Sequence, residues 1–231
     1  MTSNRRAGVT GGRAGRLLAA AQAAAGFMPD DEGRALAALA AAAARRGLGP
    51  IVEIGAYCGR STLYLAAGLA EVDDRPAGAV LLSVDHHRGS EELQAGWPHH
   101  DPTLVDAATG RMDSLPRWRR TVEAAGAEDL AVAVVGDSAT VAAAVGGPFG
   151  LVFVDGGHSP AIVAGDYAAW APLVAPGGRL AFHDVFADPA DGGQGPYLAF
   201  RAAVASGGFA EVPGEGAGSL RVLEALGRSP G

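Results

Sequence analysis

Lysine is absent from the 231 residues; all 18 basic side chains are arginine. No side-chain amine is therefore available as a general base or Schiff-base former. Cysteine is nearly absent too. Cys58 stands alone, so no internal disulfide can form, and a reducing, cytoplasmic setting fits. No apolar stretch approaches the roughly 20 residues that a membrane span requires. Positive charge is in deficit, with a formal net charge of −7. That balance argues against a nucleic-acid phosphate footprint, so neither nucleic acid nor membrane is expected as a partner. The dinucleotide fingerprint G-x-G-x-x-G is missing as well, because the turn at 55–59 reads G-x-x-x-G.

What remains is ordinary for a soluble globular chain, 48% hydrophobic and 19% charged. A chain of this length buries roughly 70–75% of its unfolded surface and needs no staples. At the N-terminus Arg5 and Arg6 precede an alanine-rich run, and a signal peptide is weighed against a frayed tail leading into a helix. The apolar part is short, interrupted by Gln22 and preceded by Gly11, Gly12 and Gly15, which favours the tail.

The organising stretch is IVEIGAYCGRSTLYLAAGLA, 51–70. A buried strand carrying Glu53 turns on Gly55 and Gly59 into a helix from about Ser61. Glycine there lets a ligand approach the backbone, and the helix start offers unpaired N–H groups. Before it, 13–25 and 31–46 read as alanine-rich helices, the second capped by Asp30 or Asp31 and ended by Gly47 and Pro50. Further strands are expected at 77–85, 130–137, 149–156 and 179–184. Helices are expected at 115–125, at 138–145 with Ser138 as cap, at 160–174 and at 196–206. The end reads as two strands joined by a glycine-rich hairpin, adding an antiparallel strand at one edge. This alternation predicts a Rossmann-like α/β fold, a mostly parallel sheet covered on both faces. The organisation expected is a helical extension over 1–47 and a ligand-binding domain over 48–231 with a long polar insert at 86–112. An insert of that length is expected to be a functional lid or wall.

In such sheets ligands bind beyond the carboxyl ends of the strands. Those ends carry Glu53, Asp85-His86-His87, Asp137-Ser138, Asp155 and His183-Asp184. All six histidines, His86, His87, His99, His100, His158 and His183, lie at or just beyond them. Asp85, about 30 residues after the glycine turn, can accept two hydrogen bonds from ribose hydroxyls. Asp137 and Ser138 would then sit beside a purine. The competing reading of each is a helix or turn cap, and for Ser138 alone the cap is preferred.

With those residues in view the chain resembles a known family. GAYCG at 55–59, preceded by V-E-I and followed by R-S-T, is similar to the first motif of catechol O-methyltransferase-type enzymes. These are class I S-adenosylmethionine-dependent methyltransferases. FVDGGHS, PGGRLAFHD and AGSLRVL resemble a bacterial branch acting on small molecules and sugars of secondary metabolism. The likeness covers about 28–225. It implies seven strands in the order 3-2-1-4-5-7-6, the last antiparallel. It implies S-adenosylmethionine as cofactor, with Glu53, Gly55, Ala56, Tyr57, Gly59 and Ser61 on its methionine part. Asp85, with His86 beside it, would hold the ribose, and Asp137 and Ser138 the adenine. Asp155 would serve both cofactor and metal. The family's metal ligands fall on Asp155, His183 and Asp184, and a one-residue gap would instead put Asp184 and Val185 in the second pair. Histidine in place of a carboxylate makes the site less like a hard oxygen cage for magnesium and admits manganese, iron, cobalt or zinc. The family's catalytic lysine is replaced by His158.

The expected activity is methyl transfer to a small-molecule hydroxyl. His158, with an unperturbed pKa of about 6.5, is the proton acceptor, and a metal on Asp155 and Asp184 orients the hydroxyl. A cap role beside Ser159 is the alternative for His158. Trp97, His99, His100 and Asp101 are expected near the acceptor, and the glycine-rich loop 185–196 suits motion at the same mouth. Other readings are metal-independent transfer, a metal-dependent hydrolase or oxygenase, and a non-catalytic nucleoside-binding protein. A homodimer is expected from relatives of this type, with the N-terminal helices available to a partner subunit.

Overall fold

A computed structural model describes residues 12–76 and 78–227, so Arg5, Arg6 and the signal-peptide question lie outside the described residues. The strands are β1 (Ile51–Ile54), β2 (Leu81–Asp85), β3 (Ala131–Val135), β4 (Phe149–Val154), β5 (Val174–Phe182), β6 (Phe209–Glu211) and β7 (Arg221–Ala225). The helices are α1 (Arg13–Ala23), α2 (Asp30–Arg46), α3 (Arg60–Ala70), α4 (Leu115–Ala125), α5 (Ser138–Val145), α6 (Pro160–Trp170) and α7 (Gly195–Ala205). One sheet takes the expected order β3-β2-β1-β4-β5-β7-β6. Strand β7 runs antiparallel to both neighbours. It fills the gap between β5 and β6 rather than lying at the edge, so the terminal hairpin puts its short first arm outermost.

Alternation along each strand sorts the core into two layers. Ile51, Leu151 and Phe153 face a cluster with Leu17, Leu36, Leu63 and Trp118, from α1 to α4. Val52, Ile54, Val152 and Val154 face the other, with Val141, Val163, Trp170 and Phe200 from α5 to α7. Each large side chain so buried is worth about 1.5–3 kcal/mol. With both faces covered, central strands are apolar throughout; in β1 the exception is Glu53.

Alanine dominates α2 because it crosses α3 closely. A Cβ on Gly68 of α3 would collide with the carbonyl of Ala37 and lie 2.8 Å from the Cβ of Ala40. Asp30, Asp31 and Glu32 open α2 and Arg45 and Arg46 close it, which complements its dipole. The expected cap is corrected: Pro29 precedes the helix, while Asp30 begins it and binds Arg60 and the Tyr64 hydroxyl, each at 2.7 Å. The fifth strand is corrected as well, starting at Val174 rather than at 179. Pro176, Gly177 and Gly178 form a bulge within it, where the register against β4 jumps from Phe149↔Val174 to Leu151↔Arg179. None of the described helices is long and apolar enough to cross a membrane.

Candidate active site

The carboxyl ends of β1, β2, β4 and β5 surround a cavity of about 390 Å³. Its floor is the glycine turn. Gly55 has φ +87°, and a Cβ there would run into the backbone of Asp155 at the end of β4. Gly59, φ +97°, starts α3. Asp85 reaches back from β2 and ties the turn down: one oxygen accepts the Ala56 and Tyr57 N–H groups at 3.0 and 2.8 Å, the other that of His87 at 2.7 Å. Three non-glycine residues among those described have positive φ, namely Tyr57, His87 and Asp184. All follow strand ends at this rim, where strained backbone commonly marks function.

Gly55, Ala56, Tyr57, Ser61, Asp85 and His86 line the cavity. Glu53, Gly59, Asp137 and Ser138 do not. Glu53 is fully buried behind the turn, where its carboxyl accepts from Ser61, from Thr62 at 2.7 Å and from Ser83 at 2.8 Å. Burial pushes its pKa up to about 7 against the pull of those three hydroxyls. As placed, Glu53 braces β1, β2 and α3 against one another. The cap of α5 is Asp137, not Ser138: its side chain accepts from the Thr140 N–H at 3.0 Å. The Ser138 hydroxyl accepts from the Trp170 indole at 2.8 Å. His87 is buried against Ser114 at 2.8 Å, and burial holds its pKa down.

Across the cavity stands a cluster of acids and imidazoles. Asp155 follows β4, His158 sits two residues before α6, and His183 and Asp184 follow β5. His158 is held from both sides, by Asp184 at Nε2 (2.8 Å) and by Glu92 at Nδ1 (3.1 Å). The bond to Asp184, outweighing burial, raises its pKa to about 9. This corrects the expectation of an unperturbed base: in this arrangement His158 is a cation at neutral pH. His183 is buried, with Nδ1 3.2 Å from both Asp155 and Asp184 and Nε2 2.5 Å from Glu32. Burial alone would lower its pKa, but Asp155, Asp184 and Glu32 together push it up to about 12. Asp184 is held well below the usual range: burial opposes ionisation, but the hydrogen bonds from His158 and His183 prevail.

The expected metal set is revised by this geometry. Asp155, His158 and Asp184 each offer one donor atom, all within 4.8 Å of one another. His183 has both ring nitrogens occupied by carboxylates. The physical reason is Glu32, 151 residues away on α2, which reaches under the sheet end to hold it. Asp155 and Asp184 at this spacing fit a divalent ion, with the His158 imidazole beside them.

The insert walls the cavity through Gly89, Ser90, Glu92, Leu93 and His99. Of the four residues expected near the acceptor, only His99 is among them. Trp97 is half exposed, His100 binds the Leu93 carbonyl at 3.0 Å, and Asp101 caps its own short turn at Thr103. The stretch 25–28 between α1 and α2 forms another wall. Arg60 pins it by hydrogen bonds to the carbonyls of Gln22, Ala24 and Met28 at 2.8–3.1 Å. Phe27 there stands 4.9 Å from His99 and 5.5 Å from Tyr57, ring to ring. In the loop beyond β5, glycine answers to space. A Cβ on Gly193 would lie 2.8 Å from the Cβ of His158, and one on Gly192 would strike the Phe186 ring.

Sequence reasoning missed Glu32, Glu92, Arg60 and Phe27. Three acids opening a helix look like dipole complements, and a glutamate in a polar insert looks like surface. No local signal marked either as part of a site.

A family model described as a methyltransferase domain matches residues 52–185, more than half of the chain. Among solved structures the chain is similar to an O-methyltransferase from Streptomyces achromogenes involved in tomaymycin synthesis, in complex with S-adenosylmethionine. Identity is 16% and the TM-score 0.59, over 98% of this chain and 92% of that one. It is also similar to an O-methyltransferase from Bacillus cereus in complex with S-adenosylhomocysteine, at 17% identity and TM-score 0.58 over 93% and 89%. A third is the TDP-rhamnose 3′-O-methyltransferase of calicheamicin biosynthesis, at 17% and 0.56 over 80% and 76%. At these identities the structural likeness is one of fold. The family match and the glycine turn beneath the cavity agree: the chain belongs to the methyltransferase domain family and is a class I, S-adenosylmethionine-dependent methyltransferase.

Proposed function

We propose that the protein methylates a hydroxyl of a small molecule, with His158 as proton acceptor and a divalent ion held by Asp155 and Asp184. The observation that carries this reading is the Asp155–His158–Asp184 group facing the glycine turn across one cavity. Methyl transfer from a sulfonium is an in-line displacement, so the protein must orient the hydroxyl and remove its proton. The turn 55–59, Ser61 and Asp85 seat the methyl donor, with Glu53 stiffening the turn from behind. A divalent ion, when bound, supplies charge that orients the acceptor hydroxyl and stabilises the developing oxyanion. Were Asp184 to hold such an ion, His158 would lose the main cause of its raised pKa, and its Nε2 would be free to take the hydroxyl proton. The TDP-rhamnose and tomaymycin enzymes of this fold support a small acceptor of secondary metabolism.

Calorimetry with S-adenosylhomocysteine tests the cofactor seat. Binding is expected, and Gly55→Ala should weaken it roughly tenfold or more, since both its φ and the Asp155 backbone oppose a side chain. Wild-type-like affinity in that variant would remove the turn as the seat.

One observation favours metal-independent transfer: the His183 imidazolium already lies between Asp155 and Asp184. S-adenosylhomocysteine formation over a panel of phenols, catechols and sugars, before and after metal stripping, separates the two. Under our reading turnover falls after stripping and returns with manganese or magnesium. Unchanged turnover selects the metal-free reading.

A further inference from the structure

The insert contributes a group to the reacting centre that the expected catalytic and metal-ligating residues do not include. Glu92 sits in a short helical turn, Glu91–Leu93. Its two oxygens are divided: Oε2 accepts from the Ser90 hydroxyl at 2.6 Å, and Oε1 faces His158 Nδ1 at 3.1 Å. The turn itself is held firmly. The Gln94 amide donates to the carbonyls of Arg88, Gly89 and Ser90 at 2.9, 3.1 and 3.0 Å. His100 binds the Leu93 carbonyl, and Leu93 packs on the cluster of Cys58, Leu104 and Met112. From the opposite side, Gly193 packs on the His158 side chain, and the Gly195 N–H donates to the His158 carbonyl at 3.2 Å.

We propose that Glu92 is a positioning residue: it accepts the Nδ1–H of His158 and so keeps Nε2 turned toward Asp184 and the acceptor. An imidazole can work as a base only through the nitrogen that lacks the proton, and the hydrogen bond made by the other nitrogen decides which that is. Glu92 therefore makes the insert part of the chemistry and not only a wall. The inference deepens the reading of His158 as proton acceptor and rests on it for its catalytic meaning.

The test uses the full chain with S-adenosylhomocysteine and magnesium bound, the condition under which Asp184 is engaged and the His158 ring neutral, and 15N-labelled histidine, compared as wild type, Glu92→Gln and Glu92→Ala. Long-range 1H–15N spectra report which ring nitrogen of neutral His158 carries the proton. The expected result is an Nδ1–H form in wild type, kept in Glu92→Gln, whose amide oxygen still accepts, and largely replaced by Nε2–H in Glu92→Ala. S-adenosylhomocysteine affinity should stay within about threefold throughout, a sign that the fold is intact. An Nε2–H wild-type ring, or a Glu92→Ala spectrum superimposing on wild type, would overturn the proposal. Failure of the base reading is scored apart from this, by turnover of His158→Ala, which leaves the ring spectra of the other variants to decide Glu92.

Discussion

Glu32→Ala is expected to lower the stability of the folded protein by about 3–5 kcal/mol, the usual penalty for leaving one partner of a buried ion pair unpaired. Glu32 is buried at 4% exposure and holds His183 Nε2 at 2.5 Å. It also accepts the Ser219 N–H at 2.6 Å and the Ser219 hydroxyl at 3.1 Å. Removing the carboxylate leaves the His183 Nε2–H and the Ser219 backbone N–H without their partner, and both residues are buried. It also unties three segments, α2, the end of β5 and the loop before β7. Glu32→Gln keeps an acceptor for Ser219 and should cost less. The pH dependence has a definite sign. Burial alone would raise the Glu32 pKa, but the bonds from His183 and Ser219 bring it below the ordinary glutamate value of about 4.5. Its contribution is therefore present above that value and is lost as pH falls through the folded pKa. Urea unfolding at pH 7 and pH 4 measures both effects; a loss below about 1 kcal/mol in the alanine variant would mean the pair carries no stability.

The second large effect is on chemistry. His158→Ala should reduce turnover about 10²- to 10⁴-fold, the range for loss of a positioned proton acceptor. Affinity for S-adenosylhomocysteine should change little, since His158 lies across the cavity from the glycine turn. The comparison must be made on metal-replete protein, where Asp184 is expected to be engaged as a ligand and the imidazole to be neutral. Turnover within a factor of about two of wild type would end the role of His158 as base. A fall in product-analogue affinity of the same size as the fall in turnover would point instead to a damaged cavity.

Much of the architecture was legible because the relevant signals are local. Short apolar runs with glycine and proline punctuation placed all seven strands. The four main strand ends bearing Asp85, Asp137, Asp155 and Asp184 came with them. The misjudged boundaries have local causes as well. Pro176-Gly177-Gly178 has turn chemistry, yet it lies inside β5 as a bulge because Gly178 packs on the carbonyls of Ala175, Gly150 and Phe149. The glycines of the 192–195 loop read as freedom of motion, and in the fold they answer to contact with Phe186 and His158.

By itself the sequence determined the class of fold, the glycine turn at 55–59 and the gathering of acids and histidines at one end of the sheet. Each depends on residues close together in the chain, and period, turn chemistry and strand order suffice to state them. Only the tertiary structure decided what those side chains do to one another. Glu53 is turned behind the cofactor turn. His183 is taken by Glu32 from 151 positions away, and His158 is gripped by Glu92 from 66 positions away. A carboxylate beside an imidazole changes its proton affinity, its free nitrogen and its availability to a metal. Which carboxylate stands there is set by how α2 and the insert pack against the sheet.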